Sequence, residues 1–275
     1  LRAPYHQTKP SIVDGSRRVI AFASTGQIKT LHHISTNSVL AGPNTTPYSE
    51  TSSLEGVDRF LNDGYSQAKW VAEVLMEKAS HQGLPVTIYR PGNIGPHRDT
   101  GFANSHDLHQ LIWRACLHMS CVPRGTQWRF ELTPVDLMSQ IILDIAELRR
   151  PKLRYHIVHP EPLYADELFT GWMNRKVVTR SVEGWRAWRE ELIKAIADDQ
   201  YSQEDRDLFK VLSASLSQFD AMLSSTPNYE IKHLTQDVAQ HRSYFDHPPQ
   251  LDYFFDQHLE SPPSSIRSDD ILSRP

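Results

Sequence analysis

The alternation of strand-like and helix-like runs between Thr30 and Arg90 constrains this chain more than anything else in it. Thr30 to Ser35 is a short run of β-forming residues. Ser66 to Gln82 repeats apolar residues at helical spacing, with Trp70, Val71, Val74 and Leu75 on one side, and stops at Gly83; Pro85 to Arg90 is strand-like again and runs into Pro91-Gly92. Strands separated by helices predict an α/β fold built on a Rossmann-like, doubly wound parallel sheet. In such sheets ligands collect at the carboxyl ends of the strands, and Thr36 and Asn93 both fall at such ends.

The helix that follows the first of these strands carries Tyr65 and Lys69, four residues apart and therefore on one face. An ammonium so placed favours a phenolate, so the spacing predicts a lowered pKa for Tyr65 and a usable general acid. With a hydroxyl at the preceding strand end, the set reads as carbonyl reduction. Tyr5 and Lys9 share the same spacing, but no strand precedes them and Pro10 follows, so they are read as a pair without chemistry.

The rest of the pattern extends the alternation. Helices are expected over Ser11 to Thr25, Leu108 to Met119 and Val135 to Leu148, and strands over Gln127 to Leu132 and Leu153 to His159. Beyond Tyr164 helices dominate, at Ala165 to Asn174, Glu183 to Ala197, Gln203 to Ser224 and His233 to Gln240, with a strand-like Lys176 to Val182. Three parts follow: residues 1–160 as the C-terminal part of a nucleotide-binding domain with a substrate-loop insertion at about 96–130, residues 161–258 as a mostly helical substrate lobe, and residues 259–275 as a disordered tail.

Several function classes are set aside. A formal net charge of -4 without a basic run argues against nucleic acid, and no apolar stretch is long enough for a membrane span. Two cysteines, Cys116 and Cys121, within or beside one helical pattern, read as reduced thiols, which points to a reducing compartment, most simply the cytosol. His32 and His33 alternate on a strand and cannot bind one metal together; no metal site is expected. Trp185, Trp188, Leu192 and Ile193 form one apolar helix face, read as packing.

Four blocks carry a resemblance when taken as an ordered set: Thr30 to Leu40, Gly64 to Glu73, Arg90 to Gly95 and Thr133 to Asp136. Together they resemble the terminal thioester reductase domains of nonribosomal peptide and polyketide synthetases, which are extended short-chain dehydrogenase/reductases, and also carboxylic acid and aminoadipate reductases. The resemblance spans about residues 5 to 160. It implies a Thr-Tyr-Lys catalytic set at Thr36, Tyr65 and Lys69, with Ser35 as second choice for the hydroxyl. It further implies a nicotinamide cofactor, usually NADPH, touched by Tyr65, Lys69, Pro91, Gly92 and Asn93, with Gly92 leaving room for the nicotinamide. The implied partner is an acyl or peptidyl carrier protein with a phosphopantetheine arm, within a larger multidomain chain, and the implied activity is reductive release of the carrier-bound thioester as aldehyde or alcohol. A Dieckmann-type cyclase, an extended reductase acting on a small free carbonyl compound and an inactive fragment are the alternatives.

One element of the cofactor site is missing from the sequence: no Gly-x-Gly-x-x-Gly turn follows a first strand. The expectation is a fragment whose first βαβ half lies outside the chain, and which by itself binds NADPH poorly and is inactive.

Overall fold

The computed structural model describes residues 3–40, 47–104, 106–126, 128–224 and 228–247. The expected tail at 259–275 lies outside them. In chain order the longer elements are α1 (Tyr5–Ser24), β1 (Leu31–Ile34), α2 (Gly64–His81), β2 (Val86–Pro91), α3 (Leu108–His118), β3 (Cys121–Arg124), α4 (Val135–Ala146), β4 (Arg154–Ile157), α5 (Ala165–Asn174), β5 (Arg180–Glu183), α6 (Gly184–Ile196), α7 (Gln203–Ser224) and α8 (Lys232–Asp237). Contacts divide the chain into two compact units. The first contains Leu1–Ile94, Phe130–Pro162 and Thr226–Pro249; the second contains Gly95–Arg129 and Leu163–Ser225.

The first unit is built on a parallel sheet in the order β1-β2-β4, with Leu31 opposite Val86, Ile34 opposite Tyr89, and Pro91 opposite Ile157. All six residues of β2 are buried, as a central strand covered on both faces requires. One face packs on Ala23, Met76 and Ala79, the other on Leu137, Ile141, Ile145, Leu234 and Phe245. The chain returns to this unit after α7, where Tyr48 and Tyr229 bridge in parallel and Glu230 N–H donates to Tyr48 O at 2.9 Å.

Helix α2 starts where its sequence allows a cap: Asp63 accepts from Ser66 N–H at 2.9 Å, and Gly83, at φ +95°, follows its end. Its deepest face is Ala68, Ala72, Met76 and Ala79, whereas Trp70, Val71, Val74 and Leu75 are only half-buried. The difference from expectation is steric: α2 lies under both the sheet and α1, and alanines permit that double approach.

Helix α1 begins six residues before the expected Ser11 and runs through Pro10. Pro10 costs one helix hydrogen bond. Docking on α2 offsets it: Thr8 Oγ1 donates to Gly64 O at 2.9 Å, and a Cβ on Gly64 would lie 2.3 Å from Tyr5 N. Gly64 therefore sets how closely the two helix starts approach, one residue before Tyr65.

The second unit has an aromatic core. Trp128 packs on Trp185 at 5.3 Å, on His109 at 5.4 Å and on Phe169 at 6.2 Å between ring centres, and Trp188 Nε1 donates to Cys121 O at 2.9 Å. Trp185, Trp188 and Leu192 are buried as expected, but Ile193 is half exposed. Cys121 lies on β3, paired in parallel with β5, and not in a helix; Ser120 turns the chain out of α3 with φ +48°. Both cysteines are free thiols. No described helix is long and apolar enough to cross a membrane.

Candidate active site

The end of β1 and the first turn of α2 bring Thr36, Tyr65 and Lys69 together. The Thr36 side chain lies close enough to the Tyr65 phenol to pull its pKa down. Lys69 Nζ donates to Ile34 O at 2.8 Å and lies 5.9 Å from the centre of the Tyr65 ring. Tyr65 as a whole residue is 43% exposed.

Thr36 is oriented by its neighbours. Its oxygen accepts from Ser38 N–H at 3.3 Å and lies 3.1 Å from Ser38 Oγ, which in turn accepts from Ser66 Oγ at 3.2 Å. A hydroxyl that accepts from Ser38 N–H keeps its own proton free to donate. Ser35 points elsewhere: its hydroxyl donates to Glu73 Oε2 at 2.6 Å in the interior. Consecutive residues at a strand end face opposite sides, so committing Ser35 to the core turns Thr36 toward Tyr65.

The electrostatics depart from the spacing argument. Burial pushes the Tyr65 phenol up, and the Thr36 side chain offsets this only in part, with Asp63 adding to the rise. Burial also lowers Lys69, which Glu73 partly restores. Burial, which four-residue spacing does not encode, sets the direction. Tyr65 is thus a protonated acid at neutral pH.

Under this surface runs a buried polar ladder that sequence reasoning missed. Arg90 Nε donates to Glu73 Oε1 at 2.8 Å, its Nη2 reaches the same oxygen, and both side chains are fully buried. Arg90 Nη1 donates to His156 Nε2 at 3.1 Å, so His156 is protonated at Nδ1, which donates to Glu230 O at 2.9 Å. Burial, then Arg90, pushes His156 down to about 3. The signal was present: an arginine inside an otherwise apolar strand, Val-Thr-Ile-Tyr-Arg-Pro, demands a partner. His32 and His33 take opposite faces, His32 Nδ1 meeting the Tyr89 hydroxyl at 2.8 Å while His33 senses Lys69 and Glu73.

The turn after β2 is held from below. Asn93 N–H donates to Glu131 Oε1 at 2.6 Å, and a Cβ on Gly92 would fall 1.6 Å from that oxygen. The room left by glycine is therefore filled by a carboxylate of the protein itself, a different use from the expected approach of a nicotinamide.

These groups suit the nicotinamide-ribose end of a dinucleotide: Lys69 spends one of its three N–H donors on Ile34 O, which leaves two for a ligand, beside the half-exposed Tyr65. Residues 1–142 match the model of the NAD-binding family described as "Male sterility protein". The chain belongs to that family. Its similarity to individual proteins runs the same way. It is 34% identical over 169 residues, 60% of its length, to the glycine betaine reductase ATRR of Emericella nidulans, and 36% identical over 166 residues, 57% of its length, to the aldehyde reductase lnbA of Aspergillus flavus. The crystal structure of the terminal R domain from the myxalamid PKS-NRPS biosynthetic pathway superposes with a TM-score of 0.79 at 29% identity over 94% of this chain. The chain spans 13% and 16% of the two reductases and 63% of the R domain. The fold of this NAD-binding family member is thus that of an extended short-chain dehydrogenase/reductase.

Proposed function

We propose that the chain carries the catalytic residues of an NADPH-dependent reductase that releases a carrier-bound acyl or peptidyl thioester as an aldehyde or alcohol. The observation that carries this reading is the convergence of Thr36 on the Tyr65 phenol, with Lys69 on the same helical face anchored to the strand end. The names of its relatives, two reductases and a terminal R domain of a PKS-NRPS pathway, support the same class of chemistry.

A nicotinamide cofactor, when bound, would supply a hydride to the thioester carbonyl carbon. The chain's own residues handle the oxygen. Thr36 Oγ1 and the Tyr65 hydroxyl donate to it as negative charge develops, a contribution of about 3 kcal/mol per well-placed donor. Tyr65 then passes its proton to that oxygen. The thiohemiacetal collapses by breaking its carbon-sulfur bond, giving aldehyde and the carrier thiol. Lys69, Asn93 and the Pro91-Gly92 turn would hold the cofactor's nicotinamide end.

The two strand-end hydroxyls separate experimentally. Thr36→Ala should lower the rate of reduction by about two to three orders of magnitude, whereas Ser35→Ala, which removes only a bond to the core, should stay within about tenfold of wild type. Equal losses in both would remove Thr36 from the reacting set. For the reaction as a whole, an acyl thioester on a phosphopantetheinyl carrier is incubated with the full-length protein and NADPH, and products are read by mass spectrometry. Aldehyde or alcohol formed with NADPH consumed is expected; a cyclised product formed without NADPH consumption would overturn the reading in favour of a cyclase.

A further inference from the structure

Glu131 is fully buried, faces no cationic side chain among its described partners, and takes no part in the chemistry above. Its carboxylate instead joins the ends of two parallel strands. Oε1 accepts from Asn93 N–H at 2.6 Å, just after β2; Oε2 accepts from His159 N–H at 3.1 Å, just after β4, and from Thr133 Oγ1 at 3.4 Å. Burying an anion without a counter-ion is costly, and burial pushes this carboxyl up to about 7 even though all three hydrogen bonds pull it down. Gly92 is the complementary feature. A Cβ there would lie 1.6 Å from Glu131 Oε1, 2.6 Å from its Cδ and 2.9 Å from Val158 Cγ1, so the glycine exists in this packing to admit the carboxylate.

Two backbone donors and one missing Cβ, on segments far apart in sequence, converge on a single side chain. The turn they hold is the one that, in the reductase reading on which this inference rests, meets the nicotinamide. We propose that Glu131 is a positioning residue for the cofactor: a buried latch that holds the Gly92-Asn93 turn against the end of β4, so that the turn presents a preformed surface to the nicotinamide. Without it the Asn93 and His159 N–H groups would have to find other acceptors, and the turn would be free to move outward.

Glu131→Gln keeps the shape but places an NH2 group opposite one of the two N–H donors, so one strand end must let go. In the full-length protein we expect NADPH affinity, measured by calorimetry without substrate, to fall about tenfold, the loss of one charge-assisted hydrogen bond. Affinity for an adenosine-diphosphate fragment lacking nicotinamide should be unchanged, as should KM for the acyl carrier. Should Glu131→Gln fail to fold, Gly92→Ala displaces the same carboxylate from the other side and should give the same pattern. Unchanged NADPH affinity in the variant would overturn the latch and leave the reductase reading standing. Equal weakening of NADPH and of the adenosine fragment would also overturn it, because a merely structural role moves both. A wild-type protein that binds no nicotinamide cofactor would overturn the reductase reading and the latch with it.

Discussion

Replacing Tyr65 by phenylalanine is expected to slow reduction by about two to four orders of magnitude, the range for losing a positioned general acid. The fold should not respond, because the ring stays and the residue is 43% exposed. Single-turnover kinetics with saturating cofactor isolates the effect on the chemical step, and a thermal melt of the same sample checks the fold. The raised phenol adds a pH signature. Wild-type Tyr65 remains protonated through neutrality, so the limb of the rate profile that falls when the acid ionises should lie on the alkaline side, above the ordinary range for tyrosine, and should vanish in the variant. Near-wild-type reduction by Tyr65→Phe would take Tyr65 out of the mechanism.

The largest effect on stability is expected one layer deeper. Glu73→Ala leaves the Arg90 guanidinium fully buried with only neutral His156 beside it, and stranding a buried charge in this way costs about 3–5 kcal/mol. It also releases Ser35, whose hydroxyl has no other described acceptor, and removes the carboxylate that raises Lys69. Urea unfolding should therefore show a sharply lowered midpoint for Glu73→Ala. Replacing both partners, Glu73→Met with Arg90→Met, should cost less than the single change, because no uncompensated charge remains. A loss below about 1 kcal/mol in the single variant would show that the pair is not what anchors the strand end to α2.

Much of this site was legible in the sequence because its parts are local. The alternation of periods 2 and 3.6 marks β1, α2 and β2, and these arrive in the order and parallel sense the pattern demands. Tyr65 and Lys69 are placed by one helix, so spacing alone puts them on one face. Boundaries fared worse where docking overrides local preference: α1 runs through Pro10 because Gly64 lets it seat on α2, and α2 buries its alanines deeper than its larger apolar residues because it is covered from two sides.

What only the tertiary structure decided is everything that joins distant segments. The choice between Ser35 and Thr36 rests on Glu73, 38 residues away, which claims one hydroxyl and so turns the other outward. The direction of the Tyr65 shift depends on how much water the fold excludes, which spacing does not encode. Gly92 reads in the sequence as room for a ligand; in the fold that room belongs to Glu131, also 38 residues off along the chain from Asn93. By itself, then, the sequence determined the α/β class, the parallel order of the elements and the shared helical face of Tyr65 and Lys69, because those follow from short-range periodicity. Which of those residues face each other, and how readily they hold their protons, was settled by burial and by hydrogen bonds between strand ends that meet only when the sheet forms.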